Sequence, residues 1–182
     1  MISGFWPMLL VGVVIVAALM LFVRRGRGGG GGKPVLVVQA SQSGMAERIA
    51  EKTAGALAEG GRAALLMPLD ALEPHRLRAG DLLLFIVSTT GDGDPPLSAA
   101  AFARTHMKAP EKLPPCRYAL LALGDRQRRH FCGFGIRVDT WLRESGAAPI
   151  ADMICVDRLD RAALERWRKL IVAEGASASA PI

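Results

Sequence analysis

Cysteine is scarce in this chain: Cys116, Cys132 and Cys155 are an odd number, and no two of them form a Cys-x-x-Cys pair. That pattern argues against a metal site or a disulfide framework and suits a reducing compartment. Internal repeats are absent, and 182 residues leave no room for a second catalytic domain beside one of ordinary size. Charge is missing altogether between Phe5 and Val23, a run of nineteen residues. At about 1.5 Å rise per residue a helix of that length just crosses a hydrocarbon core of about 30 Å. A cleaved secretory signal would carry its positive charge before a shorter apolar stretch, and here nothing basic but the amino terminus precedes the run.

Basic residues come directly after the run. Arg24, Arg25, Arg27 and Lys33 place the downstream chain on the cytoplasmic side by the positive-inside rule. Without those four, 19 lysines and arginines face 17 acids, so the high isoelectric point is a juxtamembrane effect that gives no reason to expect nucleic-acid binding. The five glycines from Gly28 to Gly32 cannot offset their ordering entropy and read as a tether. The expected organisation is a single-pass inner-membrane anchor at 1–24, a basic glycine-rich linker at 25–33 and a folded cytoplasmic domain at 34–182.

Within that domain short apolar runs alternate with longer amphipathic stretches. Strands are expected at Val35–Gln39, Ala63–Met67, Leu82–Val87, Arg117–Leu123 and Ile150–Val156. Helices are expected at Met45–Glu59, Leu97–Met107, Gly135–Glu144 and Asp160–Ala173, the last with Asp160 near its N-cap. Leu82–Val87 is almost wholly apolar, as in a central parallel strand covered on both faces. Alternation of this kind predicts an α/β three-layer sandwich around a five-stranded parallel sheet. Ligands of such sheets sit beyond the carboxyl ends of the strands, at the switch point in strand order.

Three strand ends carry loops with chemistry. The first strand runs into Ser41, Gln42, Ser43, Gly44, Met45 and Ala46, a hydroxyl-rich turn opening directly into a helix. Backbone amides, the helix dipole and the serine hydroxyls there can hold a phosphate dianion, although serine and glycine are also ordinary capping residues. The turn is not a Walker loop, having no Gly-Lys-Ser/Thr, nor does it carry Gly-x-Gly-x-x-Gly. The third strand ends in Ser88, Thr89, Thr90, Gly91, Asp92 and Gly93, then Asp94, Pro95 and Pro96; its glycines let backbone approach a planar ring. The fourth ends in Leu123, Gly124, Asp125, Arg126, Gln127, Arg128, Arg129, His130, Phe131, Cys132 and Gly133. Asp125 and Asp157 lie near strand ends without the paired acids and lysine of a phosphotransfer site. His130 reads as a surface residue, Cys132 as loop packing, and Trp141 and Trp167 as core-facing.

Ser41 to Ala46 is similar to the phosphate loop of flavodoxins. Val87-Ser88-Thr89 with Gly91 to Pro96 resembles the second flavin loop of diflavin reductases. Leu123-Gly124-Asp125, Phe131-Cys132-Gly133 and Val138-Asp139 resemble the third loop and its helix in the sulfite reductase flavoprotein family. The resemblance runs from about Val35 to Leu170 and includes no FAD or NADPH module. It implies a flavodoxin-like sheet of order 2-1-3-4-5 and an FMN held by its phosphate on Ser41–Ala46. The flavin ring would lie between the loops of Ser88–Gly93 and Leu123–Cys132. The family usually places aromatic residues at the positions of Thr90 and Arg128, and Met45 replaces a residue that is commonly polar. A guanidinium at 128 can stack on the ring in place of an aromatic and would raise the flavin potential.

Two functions are expected from these features. One is electron transfer at the membrane between a separate NAD(P)H-dependent reductase and a membrane-bound redox acceptor. The alternative is a flavin-free accessory module that kept the fold. A self-sufficient NAD(P)H oxidoreductase would need a nicotinamide site, which the sequence does not offer.

Overall fold

A computed structural model describes residues 33–158 and 160–177. The expected anchor and nearly all of the linker lie outside the described residues, and among the described residues no helix is long and apolar enough to cross a membrane. The elements in chain order are β1 (Val35–Ala40), α1 (Met45–Glu59), β2 (Ala64–Pro68), β3 (Leu82–Ser88), α2 (Ala100–Thr105), β4 (Arg117–Gly124), α3 (Gly133–Glu144), β5 (Ala148–Pro149), β6 (Ile154–Asp157) and α4 (Arg161–Ser177).

All named strand pairs are parallel, in the order β2-β1-β3-β4, and β4 then pairs with β5 and β6 in turn. The order 2-1-3-4-5 is thus as expected, with one correction: the stretch expected as a single strand at Ile150–Val156 is two short ones. β5 pairs Ala148 and Pro149 with Arg117 and Tyr118, and β6 pairs Ile154 to Asp157 with Leu121 to Gly124. Pro149 cannot donate to the ladder, the Ile150 amide makes one last bond to the Tyr118 carbonyl at 2.8 Å, and the chain detours before rejoining.

Parallel strands need crossovers, and these put helices on both faces. The alternation along β3 divides accordingly. Leu83, Phe85 and Val87 share a core with Phe102, Phe134, Val138 and Trp141 from α2 and α3. Leu82, Leu84 and Ile86 share the other with Ala46, Ala50 and Leu57 of α1 and with Ala163, Trp167 and Ile171 of α4. Trp141 and Trp167 are both core-facing: Trp141 meets Phe102 edge-on at 5.3 Å, and Trp167 Nε1 donates to buried Thr53 Oγ1 at 3.0 Å. Asp160 caps α4, its Oδ1 accepting from the Ala162 amide at 2.9 Å.

The helix expected at Leu97–Met107 is the largest departure among the helices. Residues Leu97–Ala99 form a 3-10 turn, and the α-helix is confined to Ala100–Thr105. Its start is fixed by a partner from outside, because the Phe102 amide donates to Asp70 Oδ1 at 2.8 Å. The residues of the 3-10 turn are held by the loop after β1.

Candidate functional site

Each loop singled out in the sequence stands at the carboxyl end of β1, β3 or β4. Together they line an open cleft of about 470 Å³. That volume lies within the range of small-molecule and cofactor sites, about 300–1,000 Å³. Gln42, Ser43, Met45, Ser88, Thr89, Thr90, Gly91, Leu123, Gly124, Asp125 and Arg128 all face it. Ser41, Gly44, Ala46, Asp92, Gly93, Phe131 and Cys132 belong to the same loops but lie outside the lining of the cleft.

The first loop turns at Gly44, which holds φ +78° and sits at the N-cap of α1 with no side chain capping the helix. The first-turn amides are therefore open to an exogenous anion, the arrangement a phosphate requires. Ser41 is held from across the cleft wall by Ser98. The Ser41 amide donates to Ser98 Oγ at 3.0 Å, and Ser98 Oγ donates to the Ser41 carbonyl at 2.9 Å. Beside this clamp the Leu97 amide donates to Gln42 Oε1 at 3.2 Å. The Ser41 hydroxyl itself is buried and has no protein partner. A buried hydroxyl left unpaired costs about 1–3 kcal/mol, so its presence in this loop fits a site whose ligand supplies the missing partner.

The second loop is a tight closed turn. Thr90 and Asp94 exchange backbone bonds at 2.9 Å each, and Thr90 Oγ1 donates to the carbonyls of Asp94 and Pro95 at 3.2 and 3.1 Å. Gly91 at φ +51° and Gly93 at φ +118° make the turn possible. Thr90 thus spends its hydroxyl on shaping the loop.

The third loop packs on the second. His130 Nδ1 donates to the Asp92 carbonyl at 2.6 Å, and the Phe134 amide donates to Thr89 Oγ1 at 3.2 Å. Gly133 sits so close to Gly93 that a Cβ at 133 would lie 2.8 Å from the Gly93 Cα. Gly124 is similarly enclosed, with a hypothetical Cβ 2.8 Å from the Cys132 amide nitrogen. Cys132 starts α3 in a left-handed conformation, φ +55°, with its buried Sγ 3.3 Å from the Ala122 carbonyl. Burial and the neighbouring Cys155 thiol push the Cys132 thiol up to about 12, so it is a neutral packing group rather than a nucleophile.

The charges in the cleft are arranged around Asp125. Its Oδ1 accepts from the Gln127 amide at 2.9 Å and its Oδ2 pairs with Arg158 at 3.1 Å. The amide bond first, and the guanidinium second, hold the carboxyl below its usual range. Arg128 lines the cleft, is exposed and makes no ion pair among the described residues. Sequence spacing did not single out Arg158 or Ser98. Arg158 also holds a left-handed φ of +44°, unusual for a residue other than glycine, and it enters the site only because β6 ends level with β4. His130 is exposed, as expected of a surface residue, yet it also lines the cleft and joins two of the loops.

Comparison with known proteins decides the family. The flavodoxin family model matches residues 37–168. The chain belongs to the flavodoxin family. FMN is the cofactor the family assignment gives this flavodoxin domain. It is 35% identical over 141 residues to the sulfite reductase [NADPH] flavoprotein alpha-component of Sodalis glossinidius, a match covering 76% of this chain and 23% of that relative. The protein of the same description from Bacillus subtilis is 33% identical over 126 residues, covering 69% and 21%. The chain therefore spans about a quarter of the length of these relatives. Among solved structures, the flavodoxin of Streptococcus pneumonia TIGR4 superposes with a TM-score of 0.65 at 21% identity, covering 81% of this chain and 100% of that one. A short-chain flavodoxin associated with a bacterial microcompartment superposes at 0.64 and 19%, covering 81% and 99%. The fold is that of an electron-transfer flavoprotein.

Proposed function

We propose that this flavodoxin domain is a membrane-tethered electron carrier, taking electrons from a separate NAD(P)H-dependent reductase and passing them to a membrane-bound redox acceptor. The observation that carries the reading is the convergence of three strand-end loops on one cleft, with an unpaired buried hydroxyl at Ser41 and uncapped amides at the start of α1. In this reading Ser41, Ser43 and the amides of Gly44 to Ala46 hold the phosphate. Ser88 to Gly93 and Leu123 to Cys132 flank the ring, with Arg128 against one of its faces. Bound FMN supplies one- and two-electron transfer, and the residues around it set its potential.

The apolar run at 5–23 and the basic residues after it support a single-pass anchor in the inner membrane with the domain in the cytoplasm. A tether raises the local concentration of the carrier at another membrane protein. Alkaline carbonate extraction of membranes carrying the full chain tests this: retention in the pellet is expected, and release into the supernatant would contradict it. The donor is tested with anaerobic NADPH. Alone it should leave the oxidised flavin spectrum unchanged, and an added NADPH-dependent flavoprotein reductase should bleach it. Bleaching by NADPH alone would contradict the need for a separate donor.

The flavin-free accessory module is favoured by one observation, the absence of an aromatic side chain at both Thr90 and Arg128. Stacking contributes about 1–3 kcal/mol per face, by analogy with bases on aromatic side chains, so the grip must rest on the phosphate end and on Arg128.

A further inference from the structure

Exposed large hydrophobic residues are few among the described residues: Leu97, Ile136 and Val172, at 78%, 50% and 49%. Two of these three adjoin the loops of the cleft along the chain. Leu97 follows the second loop and is bonded through its amide to Gln42 on the cleft wall, and Ile136 lies in the first turn of α3, directly after the third loop.

Arginines crowd the Ile136 side of the mouth. Arg126, Arg128 and Arg129 project from the third loop, Arg137 follows Ile136, and Arg158 closes the edge; all five are exposed. Two are offset, Arg126 by Asp157 at 3.8 Å and Arg158 by Asp125 at 3.1 Å. Arg128, Arg129 and Arg137 make no ion pair among the described residues, although Arg137 lies 6.0 Å from the Phe134 ring. No lysine belongs to this lip. A face made only for solvation has no need of arginine over lysine, whereas protein interfaces are enriched in arginine and centre on apolar anchors. Asp92 and Asp94 of the second loop are also exposed, and Asp92 adjoins the third loop through the His130 bond to its carbonyl.

We propose that the third loop and the first turn of α3 form the docking face for an acidic electron-transfer protein. Carboxylates of the partner meet Arg128, Arg129 and Arg137, and an apolar contact covers Ile136. The partner's redox centre then lies over the cleft. The inference rests on the carrier reading and adds to it the chemistry of the partner.

The test uses the full chain in detergent, loaded with FMN, chemically reduced and mixed rapidly with one of two ferric haem proteins. Cytochrome b5 is the acidic probe and cytochrome c the basic one. Each encounter moves one electron to one ferric iron, which becomes ferrous, so two haems consume one fully reduced flavin and its two protons pass to solvent. Transfer to cytochrome b5 should slow about tenfold from low to high salt. Arg129→Glu should slow it by a similar factor at low salt, Arg129→Lys should keep most of the rate, and Ile136→Asp should slow it at every salt concentration. With cytochrome c, Arg129→Glu should speed the transfer. Flavin released on denaturation of the same samples separates the two readings. Stoichiometric FMN with no effect of Arg129→Glu on either probe, or with faster transfer to cytochrome c than to cytochrome b5 at low salt, overturns the acidic-partner inference alone. Absence of FMN overturns the carrier reading, and the docking inference with it.

Discussion

Ser98 touches the loop after β1, which holds the phosphate in the proposed reading, only through the backbone of Ser41, donating one hydrogen bond and accepting another. Removing both in Ser98→Ala loses about 0.5–1.5 kcal/mol apiece, enough to weaken FMN binding about tenfold. Riboflavin, which lacks the phosphate, should lose much less, and fluorescence titration with both flavins distinguishes a loop that positions the phosphate from a general loss of structure. Equal losses would mean that Ser98 merely stabilises the fold. In the proposed reading Arg128 lies against the ring instead. Its unpaired charge favours the reduced, more negative flavin, so Arg128→Tyr should lower the midpoint potential; an unchanged redox titration would leave the guanidinium no part in tuning. Sequence spacing made the residues of all three loops legible because they sit next to strand ends along the chain. Ser98 and Arg158 were hidden, since one reaches the site across 57 residues of chain and the other through the pairing of β6 with β4.

The third loop and α3 work as one element, anchored by glycines where backbone touches backbone. Gly133→Ala would push a methyl into the Gly93 Cα, which no rotamer can relieve, and should cost about 1–3 kcal/mol by chemical denaturation together with weaker FMN binding. A wild-type denaturation midpoint would contradict the packing described. Cys132 at the start of α3 gives the element a pH signature. Its thiol is raised from 9.0 to about 12 in the folded state, so the unfolded chain loses its proton first. Its contribution to stability is complete below about pH 9 and declines as pH rises toward about 12. Denaturation midpoints across that window should fall more steeply for wild type than for Cys132→Ala, and parallel profiles would contradict the assignment. The strand and helix boundaries that the sequence misplaced have one local and one long-range cause. Pro149 interrupts the last strand, and Asp70, which is remote in sequence from α2, caps the Phe102 amide.

At the scale of the molecule, a parallel sheet covered on both faces was readable from alternation, with the nearly all-apolar β3 in a central position, whereas the strand order came with the resemblance to flavodoxins. Two cores then brace the carboxyl ends of β1, β3 and β4 from opposite faces, which keeps the three loops at a fixed separation. The cleft between the loops is a consequence of that bracing. Electron carriage depends above all on FMN being held without aromatic side chains at positions 90 and 128. The measurement that tests this most directly is the flavin content of the purified full chain after incubation with excess FMN and removal of the free cofactor. A visible flavin spectrum and one FMN released per chain on denaturation are expected. A colourless protein that takes up no added FMN would contradict the carrier reading and favour the flavin-free accessory module.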